Sequence, residues 1–154
     1  MVNPRPRVGS ALRAETLWFA LPPVGDTLAI MNAMKGSVLV VDDDPAFRRL
    51  AQRILEVNGL AVAGEADTAA SAMSAAGLLR PDSVLVDIGL PDLDGITLTR
   101  ELVALAWRPR VVLTSTNAEA ATATEVRCSG AEAFVPKNEL PSVALDGLLG
   151  RRPS

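Results

Sequence analysis

Three observations predict an α/β domain built on a doubly wound parallel sheet. Val38-Leu39-Val40-Val41 and Val84-Leu85-Val86 are unbroken apolar runs, as expected for strands buried on both faces. Strand-like and helix-like segments alternate five times from Ser37 to Leu149, at spacings that call for right-handed crossovers between parallel strands. The strands also end in chemically related groups: Asp42 and Asp43, Asp87, Ser115 and Lys137. In an open α/β sheet, functional groups gather at the carboxyl ends of the strands.

The first strand, Val38–Asp42, leads into a helix over Pro45–Asn58, with Asp44 as its cap and Pro45 at its first position. Phe47, Leu50, Ile54 and Leu55 are expected on its buried face and Arg48, Arg49 and Arg53 outside, with Asn58-Gly59 as the stop. Leu60–Ala66 alternates as a strand and Thr68–Leu79 is an alanine-rich helix. Ser83–Asp87 is the third strand, followed after Pro91 and Gly95 by a helix from about Ile96 to Trp107. Arg110–Ser115 is the fourth strand and Ala118–Cys128 the fourth helix, stopped by Gly130. Glu132–Val135, a last helix over Leu140–Leu149 and a frayed tail, Arg151–Ser154, complete the chain.

Residues 1–35 differ from the rest, so the domain is expected to span 36–150. No periodicity persists in them beyond a short helix near Ala11–Ala20. The apolar run Leu17–Leu21, broken by Pro22-Pro23, is too short to span a bilayer and has no signal-peptide cleavage pattern. A disordered extension is expected, which a start at Met31 or Met34 would remove; the rival is a partner-binding peptide centred on Trp18 and Phe19.

Composition narrows the function. With 154 residues, 49% of them hydrophobic, and a net charge of −3, the chain fits one soluble globular domain. The first 35 residues hold four basic and two acidic groups, leaving eleven and sixteen for the remainder, a net of −5. Direct nucleic-acid binding is not expected of such a domain, whose basic clusters are only Arg48-Arg49-Arg53 and Arg151-Arg152. One cysteine excludes an internal disulfide and suits a reducing cytoplasm. The absence of histidine excludes a histidine base or a histidine-ligated zinc from this chain.

Asp42, Asp43 and Asp44 crowd where the first strand ends. Capping accounts for Asp44. Asp42 and Asp43 would repel each other unless a cation sat between them, and Mg²⁺ is the natural one. Asp87, exposed by the loop Ile88-Gly89-Leu90-Pro91, could then act as a carboxylate nucleophile toward phosphorus. Such a transfer needs in-line positioning and neutralisation of the equatorial oxygens. Mg²⁺ held by Asp43 directly and Asp42 through water, the Lys137 ammonium and the Ser115 hydroxyl would supply that charge, while Gly89 clears space for a backbone carbonyl at the metal.

Val41-Asp42-Asp43-Asp44-Pro45, Leu85-Val86-Asp87-Ile88-Gly89-Leu90-Pro91-Asp92-Leu93-Asp94-Gly95, Leu113-Thr114-Ser115 and Phe134-Val135-Pro136-Lys137 together resemble the receiver domain of two-component response regulators. The resemblance covers about Gly36 to Gly150 and implies a flavodoxin-like sheet of order 2-1-3-4-5 with five helices. It implies Asp42 and Asp43 as the acidic pair, Asp87 as phosphoacceptor, Gly89 as a carbonyl ligand to Mg²⁺ and Lys137 as the family lysine. The family spacing selects Ser115 over Thr114 and Thr116 as the switch hydroxyl, and Phe134 as the switch aromatic, with readout at the face of the fourth helix, fifth strand and fifth helix.

The implied partners are a histidine kinase or histidine phosphotransfer protein and a downstream protein target. A homodimer is left open, and no membrane association is expected. The implied chemistry is self-phosphorylation and dephosphorylation rather than enzymatic turnover.

The chain departs from the family in two ways. Lys137 is followed by Asn138 rather than proline, so a cis bond there would be costly. No output domain is expected after Gly150, which suggests a stand-alone receiver or a fragment of a longer regulator. The rivals are a receiver-fold interaction module that works without phosphorylation and a haloacid-dehalogenase-like phosphatase using Asp42. Against the phosphatase, Ala46 stands where that family places Thr or Val, and Asp87 would have no task.

Overall fold

The computed structural model describes residues 34–153. The strands are β1 (Ser37–Val41), β2 (Ala61–Ala66), β3 (Ser83–Asp87), β4 (Arg110–Ser115) and β5 (Ala133–Pro136). All pair in parallel, in the order β2-β1-β3-β4-β5. The helices are α1 (Pro45–Val57), α2 (Ala69–Leu79), α3 (Gly95–Val103), α4 (Ala123–Ser129) and α5 (Leu145–Leu149), with a 3₁₀ segment at Lys137–Ser142. The expected five-stranded, doubly wound architecture is present.

Alternation along β1 divides the core between the two faces. Leu39 and Val41 pack with Ala72, Ala76, Leu98 and Leu102 of α2 and α3. Val38 and Val40 pack with Phe47, Ala51 and Leu55 of α1 and with Leu145 and Leu149 of α5. Each fully buried valine or leucine contributes roughly 1.5–3 kcal/mol. On α1 the buried stripe is Phe47, Ala51 and Leu55, an i, i+4, i+8 row; Leu50, expected in the core, lies off that row and is 45% exposed.

Three helix boundaries differ from the sequence expectation. Helix α3 ends at Val103 rather than Trp107, with Ala104 as its C-cap, and farther on Arg108 adopts φ of 48° before Pro109, a residue that disfavours helix in its predecessor. Trp107 turns back so that its indole N–H donates to the Pro81 carbonyl at 2.9 Å, and Arg80 lies over the ring at 4.6 Å. Helix α4 begins at Ala123 rather than Ala118, fixed by a reciprocal cap between Thr122 and Glu125. The last helix is shortened because Pro141, which has no N–H to donate, falls in the segment before it.

Residues 1–33, most of the expected extension, lie outside the described residues, as does Ser154. Lys35 and Arg151 join the two ends of the domain: Lys35 N–H donates to Gly59 at 2.9 Å and Arg151 N–H donates to the Lys35 carbonyl at 2.7 Å. The Lys35 ammonium pairs with Asp146 at 2.8 Å.

The loop after β3 is fastened at two points. Asp92 accepts from the backbone N–H groups of Ala69 and Ala70 at 2.8 and 3.0 Å, which holds its carboxyl below the usual range. Gly95 lies so close to the strand end that a Cβ would stand 2.4 Å from the Asp87 carbonyl oxygen and 2.8 Å from Ile88 Cα. Both obstacles are backbone atoms and cannot yield as a side chain would. Gly95→Ala is therefore expected to destabilise the fold by about 3 kcal/mol in denaturant unfolding. Gly77→Ala, where a Cβ meets nothing within 4 Å on α2, should stabilise it by roughly 0.5–1 kcal/mol.

Candidate metal and phosphoacceptor site

The site lies where β1, β3, β4 and β5 end together. Register places Asp87 opposite Thr114 and Ser115 opposite Pro136, so Lys137 follows directly beyond the aligned edge. One carboxylate oxygen from each of Asp42, Asp43 and Asp87 falls within 4.8 Å of the others. Asp42 and Asp87 are buried and Asp43 is exposed, so the cluster opens to solvent on one side.

Asp42 is held from several directions. Its Oδ1 accepts from the Asp44 backbone N–H at 2.8 Å, and its Oδ2 lies 2.7 Å from the Lys137 ammonium. Its main-chain carbonyl accepts from the Arg48 guanidinium at 2.5 Å, while Arg48 Nε donates to Glu65 at 2.8 Å. Arg48 was expected on the outer face of α1; it is instead a half-buried brace between the ends of β1 and β2. A charge in the first turn of α1 can reach back over the strand end that feeds it, which an outward helical wheel does not show. Asp44 caps α1 as expected, accepting from Ala46 N–H at 3.0 Å.

Asp87 lies 3.8 Å from the same ammonium, through Oδ2, and its Oδ1 accepts weakly from Gly89 N–H at 3.3 Å. Burial pushes its carboxyl above the ordinary 3.8, and the charges of Asp42 and Asp43 push the same way. Lys137 and the Gly89 N–H oppose that rise without overcoming it.

The structure brings together Asp42, Asp43, Asp87 and Lys137. Gly89 adjoins Asp87 through its backbone. Ser115 stands at the end of β4, its hydroxyl accepting from Asn117 N–H at 3.0 Å and so engaged with the following loop rather than with the carboxylates. Phe134 is half-buried against the α2–α3–α4 side of the core. No cis peptide bond occurs among the described residues, and Lys137 opens the 3₁₀ segment. Phe47 was read only as a core residue, yet its ring faces the Lys137 ammonium at 4.3 Å.

The donor set suits a hard divalent cation. All three side chains are oxygen ligands, and a cation bonding oxygen at about 2.1 Å bridges groups at this separation with little movement. Burial, and after it the charges of Asp42 and Asp43, disfavour the charged form of Asp87, and a cation among the three carboxylates would offset both.

A family model described as the response regulator receiver domain matches residues 38–145. Among curated proteins, the chain is 36% identical over 107 residues to protein-glutamate methylesterase/protein-glutamine glutaminase 3 of Hahella chejuensis, covering 68% of this chain and 31% of that protein. It is 31% identical over 111 residues to the chemotaxis protein CheY of Thermotoga maritima, covering 72% and 92% respectively. Among solved structures, the signal receiver domain of NarL from Mycobacterium tuberculosis matches with a TM-score of 0.65 at 31% identity, over 75% of this chain and 97% of that one. The response regulator domain of Thermotoga maritima CheB matches with a TM-score of 0.61 at 30% identity, over 73% and 90%. The chain spans 31%, 49% and 27% of the length of the first three curated relatives, all of them longer proteins. By its fold, its strand-end residues and these matches, the chain belongs to the response regulator receiver domain family.

Proposed function

We propose that this domain is a cytoplasmic phosphoacceptor switch in which Asp87 takes a phosphoryl group from the phosphohistidine of a histidine kinase or phosphotransfer protein. The observation that carries this reading is the meeting of Asp42, Asp43 and Asp87 within 4.8 Å of one another, with the Lys137 ammonium beside Asp42 and Asp87. A carboxylate oxygen of Asp87 forms the new bond to phosphorus as the phosphorus–nitrogen bond to the donor imidazole breaks, and the electron pair leaves with that nitrogen. Asp42, Asp43, Asp87 and the Gly89 carbonyl would hold Mg²⁺, which would supply positive charge to the phosphoryl oxygens. Lys137 supplies a second positive charge from the side of β5, and Ser115 offers a hydroxyl to a third oxygen after leaving Asn117.

Readout is assigned to Ser115 and Phe134. A hydroxyl drawn toward phosphate would open room for the ring of Phe134, whose inward state rests on packing because it has no phenolic oxygen. The surface around α4, β5 and α5 would then differ between two states, and a target protein would respond to the difference in their populations.

The phosphatase alternative needs Asp42 as nucleophile. That carboxylate is fully buried, ion-paired with Lys137 and hydrogen-bonded to Asp44, so it is poorly placed to attack. An interaction module that works without phosphorylation would keep the same fold, and the phosphorylation test separates it.

Incubation with acetyl phosphate and Mg²⁺ is expected to add one phosphoryl group to the intact mass of the wild type. Omission of Mg²⁺ or the Asp87→Asn substitution should reduce labelling at least about a hundredfold, as expected when the reacting nucleophile or its charge stabilisation is removed. Labelling that survives Asp87→Asn would move the reaction to another residue.

The metal-free protein provides a second check. Asp87 binds its proton more tightly in the folded chain than in the unfolded one, so its charge costs stability above the folded pKa. That cost disappears as pH falls below the ordinary 3.8. In chelator, Asp87→Asn should therefore melt above wild type at pH 7, and the two should converge in acid. A difference that grows toward acid would contradict the assigned electrostatics.

A further inference from the structure

We infer that Phe47, in the first turn of α1, is a positioning residue for Lys137. The inference rests on the phosphoacceptor reading above, because it concerns how that reading's lysine is held.

The Lys137 ammonium stands 4.3 Å from the centre of the Phe47 ring, 2.7 Å from Asp42 Oδ2 and 3.8 Å from Asp87 Oδ2. Its side chain is 14% exposed, so water screens these contacts poorly. A cation over an aromatic face is attracted by the ring quadrupole, and the attraction strengthens when the pair is desolvated.

The ring itself is well fixed. Phe47 is 7% exposed and packs in the core with α5 and the buried residues of β1. The turn that carries it is held by the Asp44 cap and by Arg48, whose guanidinium grips the Asp42 carbonyl. Two consecutive residues of α1 thus address the two halves of the site: Arg48 braces the acid of β1 and Phe47 backs the lysine that follows β5.

The ion pair alone would hold the lysine on the wrong acid for transfer. Lys137 is closer to Asp42 than to Asp87 by about an ångström. To meet a phosphoryl group on Asp87 the ammonium must shift from one oxygen toward another. The ring attracts the cation without a directional bond to either, so it keeps Nζ in the pocket through that shift. An aliphatic side chain of similar bulk would fill the core but offer no such attraction.

The experiment compares initial rates of phosphorylation by acetyl phosphate at saturating Mg²⁺. Phe47→Leu should slow the reaction about fivefold, within the range expected of a desolvated cation–π contact. Phe47→Tyr, which keeps the ring, should stay within about twofold of wild type. In a Lys137→Ala background, Phe47→Leu should cause no further loss, because the cation it acts through is gone. A Phe47→Leu rate equal to wild type overturns the inference. So does a Phe47→Tyr rate as low as that of Phe47→Leu, or an equal fivefold loss in the Lys137→Ala background, which would mark a purely structural role. If wild type itself takes no phosphoryl group, the phosphoacceptor reading falls and the inference falls with it; a labelled wild type with an unaffected Phe47→Leu variant overturns the inference alone.

Discussion

The ion pair between Lys137 and the buried Asp42 carboxylate joins the first strand of the sheet to the segment that follows its last strand. Between them run β3 and β4, whose parallel register aligns the same edge. Two charges taken out of water are expensive unless their geometry and remaining hydrogen bonds are good. Here Asp42 has a second bond from Asp44 N–H, its carbonyl is held by Arg48, and Lys137 gains the face of Phe47. The junction of β1 and α1 is therefore registered against the distant end of β5 by a small polar cluster at the edge of an apolar sheet.

That cluster also disfavours a further negative charge. Its third acid, Asp87, is shifted toward the neutral form by burial and by its acidic neighbours, despite the ammonium 3.8 Å away. Such a site favours whatever brings more positive charge, and it opens to solvent through Asp43. Gly95 lies against the backbone of Asp87 and Asp92 ties the same loop to α2, so the carboxylate is presented from a stiff support. The chemistry assigned to the domain depends on this combination of a rigid frame and an unbalanced charge.

The fold and most of the site were legible in the sequence because their signals are local. Apolar runs gave β1 and β3, Asp44-Pro45 gave the start of α1, and the strand-end rule gathered Asp42, Asp43, Asp87 and Lys137 before any contact was known. The start of α4 is also written locally, as Thr122 and Glu125 at capping-box spacing. Other features were not local. That Arg48 turns inward depends on Glu65 and the Asp42 carbonyl, and that Leu50 is exposed depends on the angle at which α1 meets the sheet. Phe47 reads as a core residue in any periodicity analysis, and only the return of the chain 90 residues later places a lysine against it.

The central claim is that the three aspartates form a cation site with Asp43 as its solvent-facing ligand. Thermal or denaturant unfolding in Mg²⁺ and in chelator, for wild type and Asp43→Ala, tests it without requiring a phosphoryl donor. Wild type should gain stability with Mg²⁺, by about 2.7 kcal/mol at a hundredfold excess over the dissociation constant. Asp43→Ala, at an exposed position with little packing to lose, should fold normally and gain far less. No gain in wild type, or an equal gain in both proteins, would contradict the assignment.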